Sequence, residues 1–178
     1  MLSGLAAGKS RSYQGFRERV LGGDFDMRIA ANGTWYYQGS PINRLALVKL
    51  FASVLRREED GIYWLVTPVE RGHVLVEDAP FTAVEVTAER PGPDQRLIFR
   101  TNLDEIVALD EDHPLRMGSG EPDDAAARPY LLVRDRLEAR ILRAVYYHLV
   151  ELGEQQGESF GVWSNGRFFP LGTLDPTL

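Results

Sequence analysis

Three arginines and one tyrosine are spaced so that a single helix face could carry all of them. The set is Arg136, Arg140, Arg143 and Tyr147, at positions i, i+4, i+7 and i+11. Residues at this spacing share one face of an α-helix, and guanidinium groups bind phosphate or carboxylate in a bidentate geometry. The spacing therefore predicts an anion-binding face. The alternative is a solvent-exposed face, or arginines that pair with the acidic residues of segment 103–128.

A second group, Asp110, Asp112 and His113, has the side-chain types of a divalent metal site or a general base. No second histidine or glutamate stands at a ligand spacing, and Pro114 is typical of a turn. We therefore favour a structural turn and keep a metal-assisted hydrolase as an alternative. The chain has no cysteine and no motif of a nucleophile elbow, phosphate loop, dinucleotide fold or zinc protease. We expect no catalytic residue, metal or cofactor.

The sequence has two Asn-Gly pairs, at 32–33 and 165–166. Each pair is followed by two adjacent aromatic residues and by a second glycine, six positions after the glycine of the pair. Because Asn and Gly tolerate positive φ, each pair predicts a two-residue type I′ turn in a β-hairpin. The predicted strands are Met27–Ala31, Thr34–Gln38, Phe160–Ser164 and Arg167–Leu171. The repeat indicates a duplicated fold. The aromatic residues could stack on a flat ligand, although packing across the hairpin is their commoner role.

The first of two predicted helices runs from Ser40 to about Arg57. Ser40 is a good N-cap, and Pro41 suits the first helical position because its missing N–H is not needed there. Apolar residues cover most of the helix circumference, which predicts that the helix is largely buried. They leave a narrow polar strip of Lys49, Ser53 and Arg56.

The second predicted helix begins at a capping-box-like pair, Asp135 and Glu138, and ends at Gly153. It would carry the arginine face described above. His148 shares its other face with apolar residues, so we expect His148 to be a hydrogen-bonded core residue.

Short apolar runs separated by turn-forming residues predict the strands. Four of them should form an antiparallel meander: Ile62–Thr67, His73–Glu77, Phe81–Glu89 and Gln95–Thr101. Two more are predicted at Ile106–Leu109 and Tyr130–Val133. The predicted class is α+β. The predicted organisation is a loose arm (1–23), an N-terminal domain (24–102), an acidic connection (103–128) and a C-terminal domain (129–178) that recruits strands from 95–115.

Composition indicates a globular protein: of 178 residues, 44% are hydrophobic and 26% charged, enough to bury a core. Residues 1–23 hold four of the 20 basic and one of the 26 acidic side chains, so the remainder carries a net charge of −9. Such an acidic body predicts no nucleic-acid partner. No stretch is long and apolar enough for membrane insertion or a secretory leader, and the lack of cysteine fits a cytoplasmic location.

A succession of short motifs carries a family resemblance. The motifs are Gly33–Ile42 with Arg44, Thr67–Glu70, Val76–Phe81, Thr101–Asn102, His113–Leu115, Pro129–Leu131 and Val162–Gly166. In this order, over about residues 24–173, they resemble a bacterial family of unknown function, domain-of-unknown-function family twelve-eighty-five.

The resemblance implies a duplicated α+β core of two structurally similar halves, each a helix packed on antiparallel strands, the C-terminal half being pleckstrin-homology-like. It also implies a ligand site between the halves, for a nucleotide-like molecule, and a role in bacterial signalling. The motif positions that could reach such a site are Arg44, Thr67, Glu70, Thr101, Asn102, His113, Tyr130, Trp163 and Ser164. An alternative role for them is to cap turns and hold the halves together.

The leading hypothesis is thus a non-enzymatic binding or signalling module with a small anionic ligand between its halves, bound by arginines and an aromatic residue. The alternative is a scaffold or oligomerisation module without a small-molecule ligand, which would expose an apolar patch. A homo-oligomer or a signalling partner protein is compatible with either.

Overall fold

The computed structural model describes residues 23–118 and 128–174, which form three β-sheets and two helices. The α+β class is as predicted. The arm through residue 22, the segment 119–127 and the end of the chain from residue 175 lie outside the described residues. The predicted division into domains stays a prediction, although residues 81–101 pair with strands later in the chain.

The first sheet contains six strands from the first part of the chain. They are β1 (Gly23–Ile29), β2 (Trp35–Tyr37), β3 (Ser40–Pro41), β4 (Leu55–Arg57), β5 (Tyr63–Val66) and β6 (Arg71–Val76). Their order is β3-β2-β1-β6-β5-β4, with a parallel pair β1–β6 at the centre and antiparallel pairs elsewhere. Helix α1 (Leu45–Ser53) connects β3 to β4 and buries Val48 and Ala52.

The second sheet also has six strands and one central parallel pair. The strands are β7 (Phe81–Glu89), β8 (Arg96–Thr101), β9 (Ile106–Ala108), β10 (Leu115–Gly118), β11 (Arg128–Arg134) and β12 (Leu137–Ile141). Their order is β10-β11-β12-β7-β8-β9, and β12–β7 is the parallel pair. Helix α2 (Arg143–Glu151) follows β12 and buries Val145 and Leu149.

A third, smaller sheet completes the fold. It consists of β13 (Glu154–Gln156), β14 (Ser159–Ser164) and β15 (Arg167–Thr173), paired antiparallel. The buried apolar side chains of all three sheets belong to one cluster, so the sheets share a core. Its largest fully buried members include Trp35, Phe81, Phe99, Leu131 and Leu149.

Helix α1 is shorter and more exposed than predicted. Ser40 and Pro41 pair with β2, and Arg44 is the residue at which the helix begins. Beyond the helix, Leu55 is fully buried as part of β4. Strand pairing at both edges of the sheet therefore overrides the helical preference of these residues. The prediction that the helix is buried on most of its circumference was wrong, because Leu45 and Leu50 are exposed.

The second helix begins later than predicted, and the arginine face is not helical. Residues 135–136 form a turn and Arg140 belongs to β12, so Arg143 is the only one of the three arginines on α2, together with Tyr147. The competing signal is the alternation of buried Leu137, Ala139 and Ile141 with less buried neighbours, which is the two-residue period of a strand. The capping-box assignment and the core position of His148 were also wrong; His148 is exposed.

The two Asn-Gly turns differ. In the second, Asn165 and Gly166 have φ values of 51° and 74°, which confirms the predicted signs for a type I′ turn. In the first, only Gly33 has a positive φ (88°), and the loop is closed by hydrogen bonds between Ala30 and Thr34 and between Gly33 and Ala30. The prediction of a single antiparallel meander was wrong as well, because β6 pairs with β1 and not with β7.

Candidate functional site

A groove of ≈ 510 Å³ lies between helix α1 and loops of the second sheet. Lys49, Ala52, Ser53 and Arg56 line its first wall, and Leu103, Glu105, Arg134 and Asp135 line the second. The buried side chains of Ala52 and Leu103 give it an apolar floor. A concave site with an apolar floor and a few polar groups on its walls is typical of small-molecule binding.

The first wall is built by the polar strip of α1. Lys49, Ser53 and Arg56 stand at positions i, i+4 and i+7, so they follow one another along the helix and into β4. Beside this strip α1 buries Val48 and Ala52, and Ala52 also lines the groove. The hydroxyl of Ser53 donates to the carbonyl of Leu50 at 2.6 Å and keeps its lone pairs for a ligand.

Most charged groups at the groove are paired. Lys49 Nζ donates to Asp104 Oδ2 at 2.7 Å, and this hydrogen bond, together with the charge of Lys49, lowers the pKa of Asp104. Arg134 reaches across the groove from the second wall to the first, where its Nη2 donates to the Ala52 carbonyl at 2.6 Å. Its Nε lies 3.6 Å from Glu105 Oε2.

Arg56 and Asp135 differ from these residues because neither has an oppositely charged partner in the described part of the chain. Arg56 Nη1 donates to the carbonyls of Leu55 (2.8 Å) and Ser53 (3.3 Å), and no carboxylate pairs with it in the described part of the chain. Asp135 is exposed at the turn between β11 and β12, with a φ of 46°. Within residues 23–118 and 128–174 its carboxylate has neither a hydrogen-bond donor nor a cation as partner.

None of the twelve residues predicted from sequence lines this groove, and the structure gives most of them contacts of their own. Thr67 and Glu70 close one turn: the Thr67 hydroxyl accepts from the Glu70 N–H at 3.1 Å. Thr101 is fully buried, and its hydroxyl accepts from the N–H groups of Leu103 and Glu105. These three residues act as caps of turns.

Asn102 joins the two sheets. Its Oδ1 accepts from the Thr82 N–H at 3.1 Å, and its Nδ2 donates to the Gly33 carbonyl at 3.4 Å. Gly33 leaves room for this contact, since a Cβ there would stand 2.8 Å from Asn102 Nδ2. The hairpin turn of the first sheet is thereby attached to the second.

Tyr130 and two of the predicted arginines belong to ion-pair networks between the sheets. Arg140 Nη1 lies 3.4 Å from Asp78 Oδ2, and the same carboxylate accepts the Tyr130 hydroxyl. Beside them Arg116 pairs with Glu138 through two hydrogen bonds of 2.8 Å and stacks over the Tyr130 ring. Arg136 pairs with Glu59 of the first half. Arg140 and Arg136 are thus paired, but with Asp78 and Glu59 and not with the acidic segment 103–128 that the sequence suggested.

The Trp163 side chain makes its contacts within the third sheet, whereas Ser164 attaches this sheet to the second. Trp163 Nε1 donates to Glu154 Oε1 at 2.8 Å, and its ring packs edge-on against Phe168. Ser164 is fully buried: its hydroxyl donates to the Leu109 carbonyl at 2.6 Å and accepts from the Leu97 N–H at 3.0 Å.

Arg44 and Arg143 are exposed at the starts of the two helices, away from the groove. At the predicted metal group, Asp110 Oδ1 accepts from the backbone N–H groups of Asp112 and His113, as in a turn. No group of three or more histidine or acidic side chains is arranged for a metal ion in the part of the chain that the structure describes. As binding residues, the twelve positions remain predictions.

Comparison with known proteins identifies the family. A family model described as "Domain of unknown function (DUF1285), N-terminal domain" matches residues 20–79, and one described as "Protein of unknown function (DUF1285), C-terminal domain" matches residues 80–171. The chain belongs to the DUF1285 family. The boundary between the two DUF1285 regions coincides with the end of the first sheet and the start of the second.

Two crystal structures of DUF1285 family proteins are similar to the chain. The protein from Silicibacter pomeroyi DSS-3 is 49% identical, with a TM-score of 0.79 over 85% of this chain and 81% of that one. The protein from Shewanella baltica OS155 is 33% identical, with a TM-score of 0.55 over 70% and 90%. The comparison with curated proteins found no match. No helix within the described residues is both long enough and apolar enough to cross a bilayer.

Proposed function

We propose that the protein is a non-enzymatic ligand-binding module that holds a small anionic, nucleotide-like molecule in the groove between its halves and thereby acts in signalling. The observation that carries the proposal is Arg56. This guanidinium stands on the wall of a groove built from both halves, and its partners in the described chain are backbone carbonyls. Phosphate or carboxylate is the natural partner for a guanidinium without a carboxylate.

The position of the groove supports a signalling role. One wall belongs to α1 and the other to loops that follow β8 and β11, so a bound molecule would contact both halves. A ligand that contacts both halves stabilises the arrangement in which the walls stand at the right distance. The bound ligand would itself become part of the surface offered to a partner protein.

We further propose that the halves are related by duplication. Each six-stranded sheet pairs its first strand with its last in parallel at the centre, β1 with β6 and β7 with β12, with an antiparallel three-stranded unit on either side. The helices do not follow this relation, since α1 lies inside the first set of strands and α2 follows the second. The pleckstrin-homology-like form of the second half stays a prediction.

The test is a thermal-shift titration of the full chain with nucleoside phosphates, cyclic dinucleotides and inorganic phosphate. A ligand at 100 times its Kd adds about 2.7 kcal/mol to the free energy of unfolding. We expect Arg56→Gln to abolish the ligand-induced shift and Arg90→Gln, an exposed arginine after β7, to retain it. Loss of the shift in Arg143→Gln but not in Arg56→Gln would instead favour the face of α2. No shift with any anion would overturn the proposal.

A second candidate, a scaffold or oligomerisation module, is favoured by two exposed leucines of α1. Leu45 is 47% and Leu50 60% exposed on a helix that is predominantly apolar. Exposed apolar side chains on neighbouring turns can mark a protein interface. Light scattering across a concentration series tests self-association: a larger species that Leu50→Asp dissociates would support it, and a monomer throughout would exclude self-association but not a different partner protein.

A further inference from the structure

The charged side chains of the groove fall into two classes. Lys49 and Arg134 have acidic partners, in Asp104 and Glu105. Arg56 and Asp135 lack an oppositely charged partner within the described ranges 23–118 and 128–174. The groove therefore presents one cation and one anion that form no ion pair within these described ranges.

These two groups stand on opposite walls. Arg56 follows α1 in the first half, and Asp135 lies in the turn before β12 in the second. No ion pair joins them, although such a pair would satisfy both charges. Ala52 and Leu103 form the apolar floor of the same groove. The arrangement is thus a cation, an apolar surface and an anion.

We propose that the ligand of this groove is zwitterionic, with an anionic group bound by Arg56, a short aliphatic segment over Ala52 and Leu103, and a protonated amine bound by Asp135. The inference rests on the anion site of the proposed function; it adds a positive charge to the ligand and puts a short aliphatic segment in place of a nucleoside. The anionic group is a carboxylate or a phosphate, because a guanidinium forms bidentate hydrogen bonds with either. An aliphatic segment gains by leaving water for an apolar floor.

Matched ligand pairs test the requirement for an amine. Titrations of the full chain would compare 4-aminobutyrate with butyrate, 5-aminopentanoate with pentanoate, and phosphoethanolamine with ethyl phosphate, by calorimetry and thermal shift. We expect the amine-bearing member of at least one pair to bind about fivefold tighter, the upper range for a partly exposed ion pair. Which pair responds distinguishes a carboxylate ligand from a phosphate ligand.

Asp135→Asn tests whether Asp135 binds the amine. Asparagine tolerates the positive φ of this position, so the turn should be retained. We expect the variant to bind the two members of a pair equally, because the preference for the amine comes from the carboxylate. Asp94→Asn, which removes another exposed loop carboxylate away from the groove, should keep the preference.

The outcomes separate the two proposals. If both members of each pair bind equally to the wild type and binding still requires Arg56, the zwitterion inference is overturned and the anion site stands. If the amine-bearing member is preferred equally by wild type and Asp135→Asn, Asp135 is not the amine site and the inference fails. If no compound binds and the nucleotide panel also gives no shift, both proposals fail.

Discussion

The hydroxyl group of Tyr130 donates a 2.6 Å hydrogen bond to Oδ1 of Asp78. Asp78 lies in the short connection between β6 and β7. Tyr130 lies on β11, which is the middle strand of the antiparallel unit β10-β11-β12 in the second sheet. The other oxygen of Asp78 faces Arg140 at 3.4 Å. The connection between the sheets is therefore fixed by side chains as well as by the chain itself.

Tyr130→Phe should destabilise the protein by about 1.5–3 kcal/mol, the range for a hydrogen bond to a charged group. The phenylalanine ring would keep the buried position of Tyr130 and its contact with the Arg116 guanidinium. Urea unfolding measures the loss. Tyr147→Phe is the matched control, because Tyr147 is 60% exposed and should change the free energy of unfolding by less than about 0.5 kcal/mol. Equal stability of Tyr130→Phe and wild type would show that the bond contributes nothing.

The same pair predicts a dependence on alkaline pH. Burial, and then the hydrogen bond to Asp78, raise the pKa of Tyr130 in the folded protein. The stabilisation is thus complete below the pKa of an unfolded tyrosine, about 10, and is lost as the pH rises from there through the raised folded-state pKa. The difference in the free energy of unfolding between wild type and Tyr130→Phe should therefore narrow above pH ~10. Urea titrations at several pH values check this; a constant difference would contradict it.

Ser164→Ala should loosen the attachment of the third sheet. It leaves the Leu97 N–H without its side-chain acceptor and removes one donor from the Leu109 carbonyl at a fully buried position. We expect a loss of about 1–3 kcal/mol. Ser159→Ala, on the same strand and half-buried, is the control and should change stability by less than about 0.5 kcal/mol. Hydrogen exchange would locate the loss: faster exchange confined to sites outside β8 and the third sheet would argue against this role.

Gly72→Ala should clash with Phe25. A Cβ at Gly72 would lie 1.9 Å from Phe25 Cδ2 and 2.1 Å from Cε2, so the ring must move. Overpacking of this kind costs about 1–3 kcal/mol. Gly172→Ala is the control, because no atom lies within 4 Å of a Cβ there. A double-mutant cycle tests the cause: in the Phe25→Ala background, Gly72→Ala should lose most of its destabilising effect. If the two losses of stability are additive, the ring is not the cause.

The class, most strands and the presence of two helices could be predicted from local sequence patterns. The ends of α1 could not, because the pairing of Ser40 with β2 and of Leu55 with β5 depends on residues distant in sequence. The arginine spacing led to a wrong helix prediction for a related reason. Arg136 and Arg140 fit a helical period, but the alternation of buried residues around Glu138 fits a strand equally well, and tertiary packing decides between the two periods.

The groove was partly visible in the sequence. The polar strip of Lys49, Ser53 and Arg56 on an otherwise apolar helix is the pattern that becomes the first wall. Nothing local indicates that Arg134 and Asp135, some eighty residues later, form the other wall, because that juxtaposition arises from the packing of the second sheet against α1. The motifs of the family resemblance instead pointed to residues such as Asn102, whose contacts hold the sheets together.

The hydrogen bond from Arg134 to the Ala52 carbonyl and the ion pair of Lys49 with Asp104 both run from one wall of the groove to the other. They set the width of the groove before any ligand arrives. A site of this kind is preorganised: binding does not have to select a rare closed conformer, and little ordering entropy is lost when a molecule enters. Among molecules that carry the proposed anionic and amine groups, selection then depends on molecular length, because a fixed span cannot adjust to a shorter or longer ligand.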